Sequence, residues 1–324
     1  MSTWPDSAAD PDESHVPASD AMDPLPPAED ADGAPSGPAA PVDSSFLQTY
    51  VQLVAPPRFP NIFDAALMGL LLAFAWLASG GLAATALHYR LFGVATQAQA
   101  ANDLRFTLGG QVIWYLIALG LWRVFFPLVW HESFFSGIEW RVGAAFRLRW
   151  QLFGTASACF VLAIIDAIVL PGPKEAPIDQ VFRMPGGAWV LFLFGVTLAP
   201  VMEEFIFRGF LLPALCIAWD WSAERLLDRP APSPDEEGKT RWSKPAMIFG
   251  AIVTSVPFAL MHGQQTSYAA GTFVLLVSVS LGLSWVRLRT RSVAASTVVH
   301  ACYNFLLFAF MLLGTGGFKH MDKL

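Results

Sequence analysis

Glu203 and Glu204 stand side by side inside a long apolar stretch, residues 188–221, and Arg208 follows one helical turn later. A charge buried in hydrocarbon costs ~2.5–3.5 kcal/mol per residue on insertion scales. Three such groups in one span must face a polar cavity, pair with one another, or do chemistry. Two further apolar stretches carry a histidine each, His262 and His300, and Asn304 stands four residues after His300. A carboxylate, two imidazoles and a carboxamide are enough to hydrolyse an amide. The carboxylate takes a proton from water, and desolvation moves a carboxyl group toward the neutral range where a base is useful. Imidazole and carboxamide N–H groups in a dry site stabilise the oxyanion that forms.

Helical spacing orients these side chains. Glu204 and Arg208 are at i and i+4, acid before base, which is the favourable order. Glu203 lies about 100° round the helix and is not matched to Arg208, so it is left free for a proton. Phe258 and His262 share a face by the same spacing, as do His300 and Asn304. Each segment alone has a plainer reading: an ion pair joining two helices, an interfacial or hydrogen-bonded core histidine, and hydrogen-bonding glue between helices. Together they are expected to converge on one polar chamber inside the bilayer.

The patterns Glu203-Glu204-x-x-x-Arg208, Phe258-x-x-x-His262 and His300-x-x-x-Asn304 resemble, in type and order, the three motifs of the CPBP family. That family comprises the type II CAAX prenyl endopeptidases and related Abi-like bacteriocin-processing or immunity proteins. The resemblance covers about residues 188–310. It implies an intramembrane endopeptidase with an all-helical core. Glu203 resembles the catalytic glutamate, which with His262 would hold and deprotonate the attacking water. His300 and Asn304 resemble the pair that stabilises the oxyanion, and Glu204, Arg208 and Phe258 the supporting residues. The family is often described as metalloproteases, and Glu203, His262 and His300 could form a His₂Glu zinc site with water in the fourth position. The chain has no HExxH motif, and a glutamate-activated water that requires no cofactor is the preferred reading, with Zn²⁺ as the alternative. The family name implies a prenylated CAAX peptide as substrate. Another membrane-delivered peptide or a lipidated protein fits the residues equally well.

These side chains must be positioned by membrane helices. The 324-residue chain is 54% hydrophobic and 14% charged, with a mean hydropathy of +0.47. A soluble domain carries about 25% charged residues, so the composition points to an all-α, multi-pass bundle surrounded by membrane lipids. Apolar runs at about 62–87, 106–129, 151–171, 188–221, 246–262, 267–286 and 292–315 predict about seven spans. The fourth is longer than one crossing needs, and Pro200, Gly209 and Pro213 predict a bend or break in it. The fifth is short and contains Pro257. Residues 131–150, with Arg141, Arg147 and Arg149, read as an interfacial amphipathic segment. Asp166 and Arg123 either pair, line the cavity or sit at the interface, and Thr254, Ser255, Ser278, Ser280 and Thr297 read as helix-packing residues.

Four regions follow: an acidic, disordered Pro/Ala-rich tail over 1–57, N-terminal spans with the interfacial segment over 58–187, a catalytic helical core over 188–316 and a short tail over 317–324. The tail holds ten acids and no Lys or Arg, so 16 acids and 20 Lys plus Arg remain in the body. A mildly basic body suits anionic headgroups. If each run crosses once, twelve Lys/Arg fall on one side, Arg287, Arg289 and Arg291 among them, and six on the other. That bias predicts a plasma-membrane protein with a cytoplasmic N-terminus. No basic n-region precedes an early apolar run, so insertion is expected to rest on the spans themselves. Cys159, Cys216 and Cys302 all lie in apolar runs and read as small buried hydrophobes.

No nucleic-acid partner is expected. Two rival functions remain open: an ion-coupled transporter, since broken helices and buried carboxylates also mark carriers, and a non-catalytic membrane scaffold or immunity protein.

Overall fold

The computed structural model describes residues 60–170, 176–233 and 241–318. The acidic tail, Lys174, Lys239, Lys319 and Lys323 lie outside the described residues. Among the described residues the chain is helical and contains no strand. Seven spans among the described residues are long and apolar enough to cross a membrane, matching the expected bundle. The first three are α1 (Ile62–His88), α2 (Leu104–Trp130) and α3 (Arg149–Val169). The fourth, Gly187–Leu226, is composite: α4 (Gly187–Val196), α5 (Leu198–Glu204), a π-helical segment (Phe205–Leu211) and α6 (Leu212–Leu226). The last three are α7 (Lys244–Met261), α8 (Ala270–Thr290) and α9 (Val293–Gly314).

Local chemistry starts these helices where they start. Asn61 caps α1 in a reciprocal box with Asp64, and the Trp130 indole donates to Asp64 at 3.0 Å, tying the start of α1 to the end of α2. Ser243 and Ser292 cap α7 and α9. Asp220 of α6 accepts from the Ser243 amide at 3.0 Å, which fixes α7 beside α6. Those two helices approach closely at Gly250, where a Cβ would stand 2.7 Å from the Cys216 sulfur. Small residues permit such approaches in bilayers, where packing replaces the hydrophobic effect between helices.

The fourth span departs from a straight helix in two places. Thr197 takes φ −118° and ψ −82°, which breaks α4 from α5 three residues before Pro200. Pro200 itself sits in the first turn of α5, where a missing N–H leaves no intrahelical bond unmade. The second departure is the π-helical segment, closed by a bond from Leu212 N–H to Phe207 O. The next bond in that register would run from residue 213 to Arg208 O, and Pro213 has no N–H to give. The wide turn ends there, and Arg208 O does not receive the donor that this register would bring it.

α9 is central, packing against α3, α4, α5 and α8. Residues 131–150 form two short helices, Phe134–Gly137 and Val142–Arg147. This segment does more than lie at an interface. Phe134 and Ile138 are buried, and Phe134 and Trp140 stand 5.3 and 5.2 Å from the Phe205 ring. The segment is therefore packed onto the π-helical turn. Arg287, counted with the loop charges on sequence, lies inside α8 and is buried.

Candidate active site

The first motif is clamped to two other helices. Glu204 and Arg208 are both fully buried and pair at 3.0 Å through Nη1 and Oε1. Arg208 Nη2 donates to the carbonyl of Ser280 at 2.8 Å and to its Oγ at 2.7 Å, which binds the turn to α8. The guanidinium carbon lies 4.8 Å from the centre of the Phe258 ring, which binds it to α7. A buried ion pair depends on its remaining donors and acceptors being met: Ser280 meets Nη2, while Arg208 Nε and Glu204 Oε2 are buried without a hydrogen-bond partner among the described residues.

Two histidines then converge on the neighbouring carboxylate. His300 Nδ1 lies 3.1 Å from Glu204 Oε1. An ionised carboxylate only accepts, so Nδ1 carries the proton. Ser296, one turn earlier on α9, faces the same carboxylate. His262 Nδ1 lies 2.9 Å from Phe258 O, and a carbonyl likewise only accepts. In the neutral tautomer each ring therefore turns its Nε2 lone pair elsewhere. Both turn to Glu203: Nε2 of His262 and Nε2 of His300 each stand 3.7 Å from Glu203 Oε2. That oxygen is buried and has no hydrogen-bond partner among the described residues. A separation of 3.7 Å is too long for a direct hydrogen bond. Phe258 walls the pair, its ring centre 5.0 Å from that of His262 and 5.7 Å from that of His300.

Asn304 shares the His300 face of α9, and its Nδ2 donates to Gly195 O at 2.7 Å. That hydrogen bond goes to the backbone of α4 beside the Thr197 break and uses one carboxamide N–H. The other six motif residues make one contact network.

Sequence reasoning missed several participants. Ser280 reads as packing, yet it receives Arg208. Ser280, Ser284 and Arg287 recur at i, i+4 and i+7 on α8, a polar stripe visible in the sequence. Tyr115 of α2 lies within electrostatic reach of Glu203, and its hydroxyl accepts from Gln111 Nε2 at 3.1 Å. Nothing in the spacing of α2 announces that placement. Beside the site, an apolar cavity of about 510 Å³ is lined by Trp140, Val201, Thr197, Thr297, Val298 and Ala301, among others. Val201 precedes the glutamates by half a turn, and Thr297 and Ala301 flank His300.

Glu203, His262 and His300 are the donors a zinc ion would use. Among the described residues, no three His, Cys, Asp or Glu side chains stand in metal-holding geometry.

Comparison with curated proteins and with solved structures returns no match. Residues 185–306 match the family described as type II CAAX prenyl endopeptidase Rce1-like. All seven motif residues fall within that range. The seven apolar helices and this match make the chain an integral membrane protein, and residues 185–306 form a domain of the Rce1-like type II CAAX prenyl endopeptidases, an intramembrane protease family consistent with the CPBP grouping.

Proposed function

We propose that this protein is an intramembrane endopeptidase that cleaves a peptide bond near the membrane face with a water activated by Glu203 and His262. The observation that carries the reading is Glu203 Oε2, a buried acceptor without a hydrogen-bond partner among the described residues, 3.7 Å from two imidazole nitrogens. A water there donates one hydrogen to Oε2 and the other to His262 Nε2. As its oxygen bonds to the scissile carbonyl carbon, the first proton passes to Glu203. The C–N bond then breaks, and Glu203 returns that proton to the leaving amine. For His300 to donate to the oxyanion, its Nε2 must carry a proton, with Glu204 as counter-ion. The second Asn304 N–H is the other donor. No cofactor is required on this scheme.

The substrate is a peptide, or a lipidated protein of the CAAX type, delivered from the bilayer. The apolar cavity along Thr297 and Ala301 supports this, because it suits an aliphatic side chain or lipid chain rather than a polar one. We further propose a plasma-membrane protein with a cytoplasmic N-terminus, the helices of 58–187 serving as scaffold for a catalytic core at 188–316.

The test uses the purified full-length protein in liposomes with a quenched fluorescent peptide, lipidated and unlipidated. Wild type is expected to cleave and Glu203→Ala to be inactive. Equal rates for the two proteins would remove Glu203 from the mechanism.

A further inference from the structure

Arg287 is a buried cation that none of the three motifs uses. It lies on α8 with 2% of its surface exposed. Its Nε donates to Arg208 O at 3.1 Å, and its Nη2 pairs with Glu139 Oε2 at 2.8 Å. The Trp242 ring centre is 5.8 Å from the guanidinium carbon. Glu139 lies between α2 and α3, with φ at +58°, a left-handed conformation unusual for a residue with a Cβ. Its carbonyl accepts from the Val293 amide at 3.1 Å, at the start of the helix that bears His300. Arg141 and Arg291 also reach its carboxylate, at 3.1 and 3.4 Å.

The carbonyl that Arg287 takes is the one the π-helical register leaves over. A backbone oxygen without a donor is costly in hydrocarbon, because no water replaces the missing bond. Residue 213 would supply the donor in a continuing wide turn, and it is a proline. Arg287 therefore holds the backbone of Arg208 while the Arg208 side chain holds Glu204 and Glu204 holds His300.

We propose that Arg287, with Glu139 as its counter-ion, is a positioning residue for this site: it supplies the hydrogen bond that Pro213 cannot make and so fixes the backbone register in which Arg208 reaches Glu204. The inference rests on the peptidase reading for its kinetic consequence alone. It also ties a segment outside the Rce1-like domain to the site, since Glu139 precedes residue 185.

A double-mutant cycle in the full-length protein tests it. Arg287→Lys keeps a charge for Glu139 but loses the fork that also reaches Arg208 O. Its kcat is expected to fall about 10²-fold with KM little changed, the scale of a small misplacement of catalytic groups. Pro213→Ala supplies an N–H to Arg208 O. The double variant is expected to regain at least about tenfold in kcat over Arg287→Lys, a coupling that mere loss of the Glu139 pair would not produce. A ¹⁵N-histidine spectrum is expected to show the His300 signal displaced in Arg287→Lys and returned in the double variant. If Arg287→Lys yields no folded protein, recovery is read as folded yield of the double variant. Wild-type kcat and an unshifted His300 signal in Arg287→Lys would overturn the inference, as would a double variant that recovers neither rate, spectrum nor yield. A wild type that cleaves no peptide, with the His300 signal still displaced and restored across the cycle, would sink the peptidase reading and leave the positioning role standing.

Discussion

Glu204 Oε1 receives His300 Nδ1 at 3.1 Å and Arg208 Nη1 at 3.0 Å, so one oxygen orients an imidazole and neutralises a buried cation together. Glu204→Gln would keep the shape and remove the charge. Arg208, fully buried, would lose the carboxylate it pairs with. Breaking one side of a buried pair costs about 3–5 kcal/mol. We expect a clear drop in the thermal unfolding temperature in detergent, together with loss of hydrolysis. A variant that melts like wild type would show that the pair does not support the fold.

Glu203→Gln should behave in the opposite way. Glu203 Oε2 has no hydrogen-bond partner among the described residues, so its replacement by an amide breaks no hydrogen bond seen there. An amide N–H there would face two Nε2 lone pairs, and unfolding temperature is expected to hold or rise. Turnover is expected to fall by about 10²–10⁴-fold, the usual contribution of a general base. Melting curves and peptide hydrolysis on the same preparation separate the two glutamates. Equal behaviour of the two variants would mean that their division of labour is wrong.

Much of this was legible in sequence because helical spacing is a local rule. The i, i+4 relation fixed Glu204 on Arg208 and turned Glu203 aside, and the structure keeps both features. Apolar run length located the seven spans. What stayed hidden depends on neighbours distant in the chain. The break at Thr197 is not among these, because the ring and missing N–H of Pro200 exclude a helical bond to the carbonyl of residue 196. The π-helical turn has no compositional signal beyond Pro213. Arg287 looks like a loop cation when charges are counted along the chain. Only the fold shows that it is enclosed between Arg208 O and Glu139.

Phe258 separates packing from electrostatics. Its ring lies under the Arg208 guanidinium and beside both imidazoles. Phe258→Ala empties a fully buried site and is expected to destabilise by about 3–5 kcal/mol. Phe258→Leu keeps most of the volume and loses the π face. It is expected to remain folded, with hydrolysis reduced about tenfold, equivalent to about 1.4 kcal/mol of misalignment and lost cation–π attraction. Equal unfolding temperatures for the Ala and Leu variants would contradict the packing role.

Metal dependence turns on the same two nitrogens as water activation. Phe258 O and Glu204 Oε1 occupy the Nδ1 atoms of His262 and His300, so both Nε2 lone pairs face Glu203 and could bind either a water hydrogen or a cation. The scheme proposed above needs from them only a hydrogen-bond acceptor and, at His300, a donor once protonated. Prolonged incubation with 1,10-phenanthroline is therefore expected to leave kcat/KM within about twofold of untreated enzyme. A chelator-induced loss that zinc reverses in wild type, with zinc binding abolished in His262→Ala and His300→Ala, would replace the glutamate-activated water by a metal-bound one. Glu203 would then be a ligand as well as a base, and the carboxylate oxygen 3.7 Å from each imidazole would mark the ion's third protein donor.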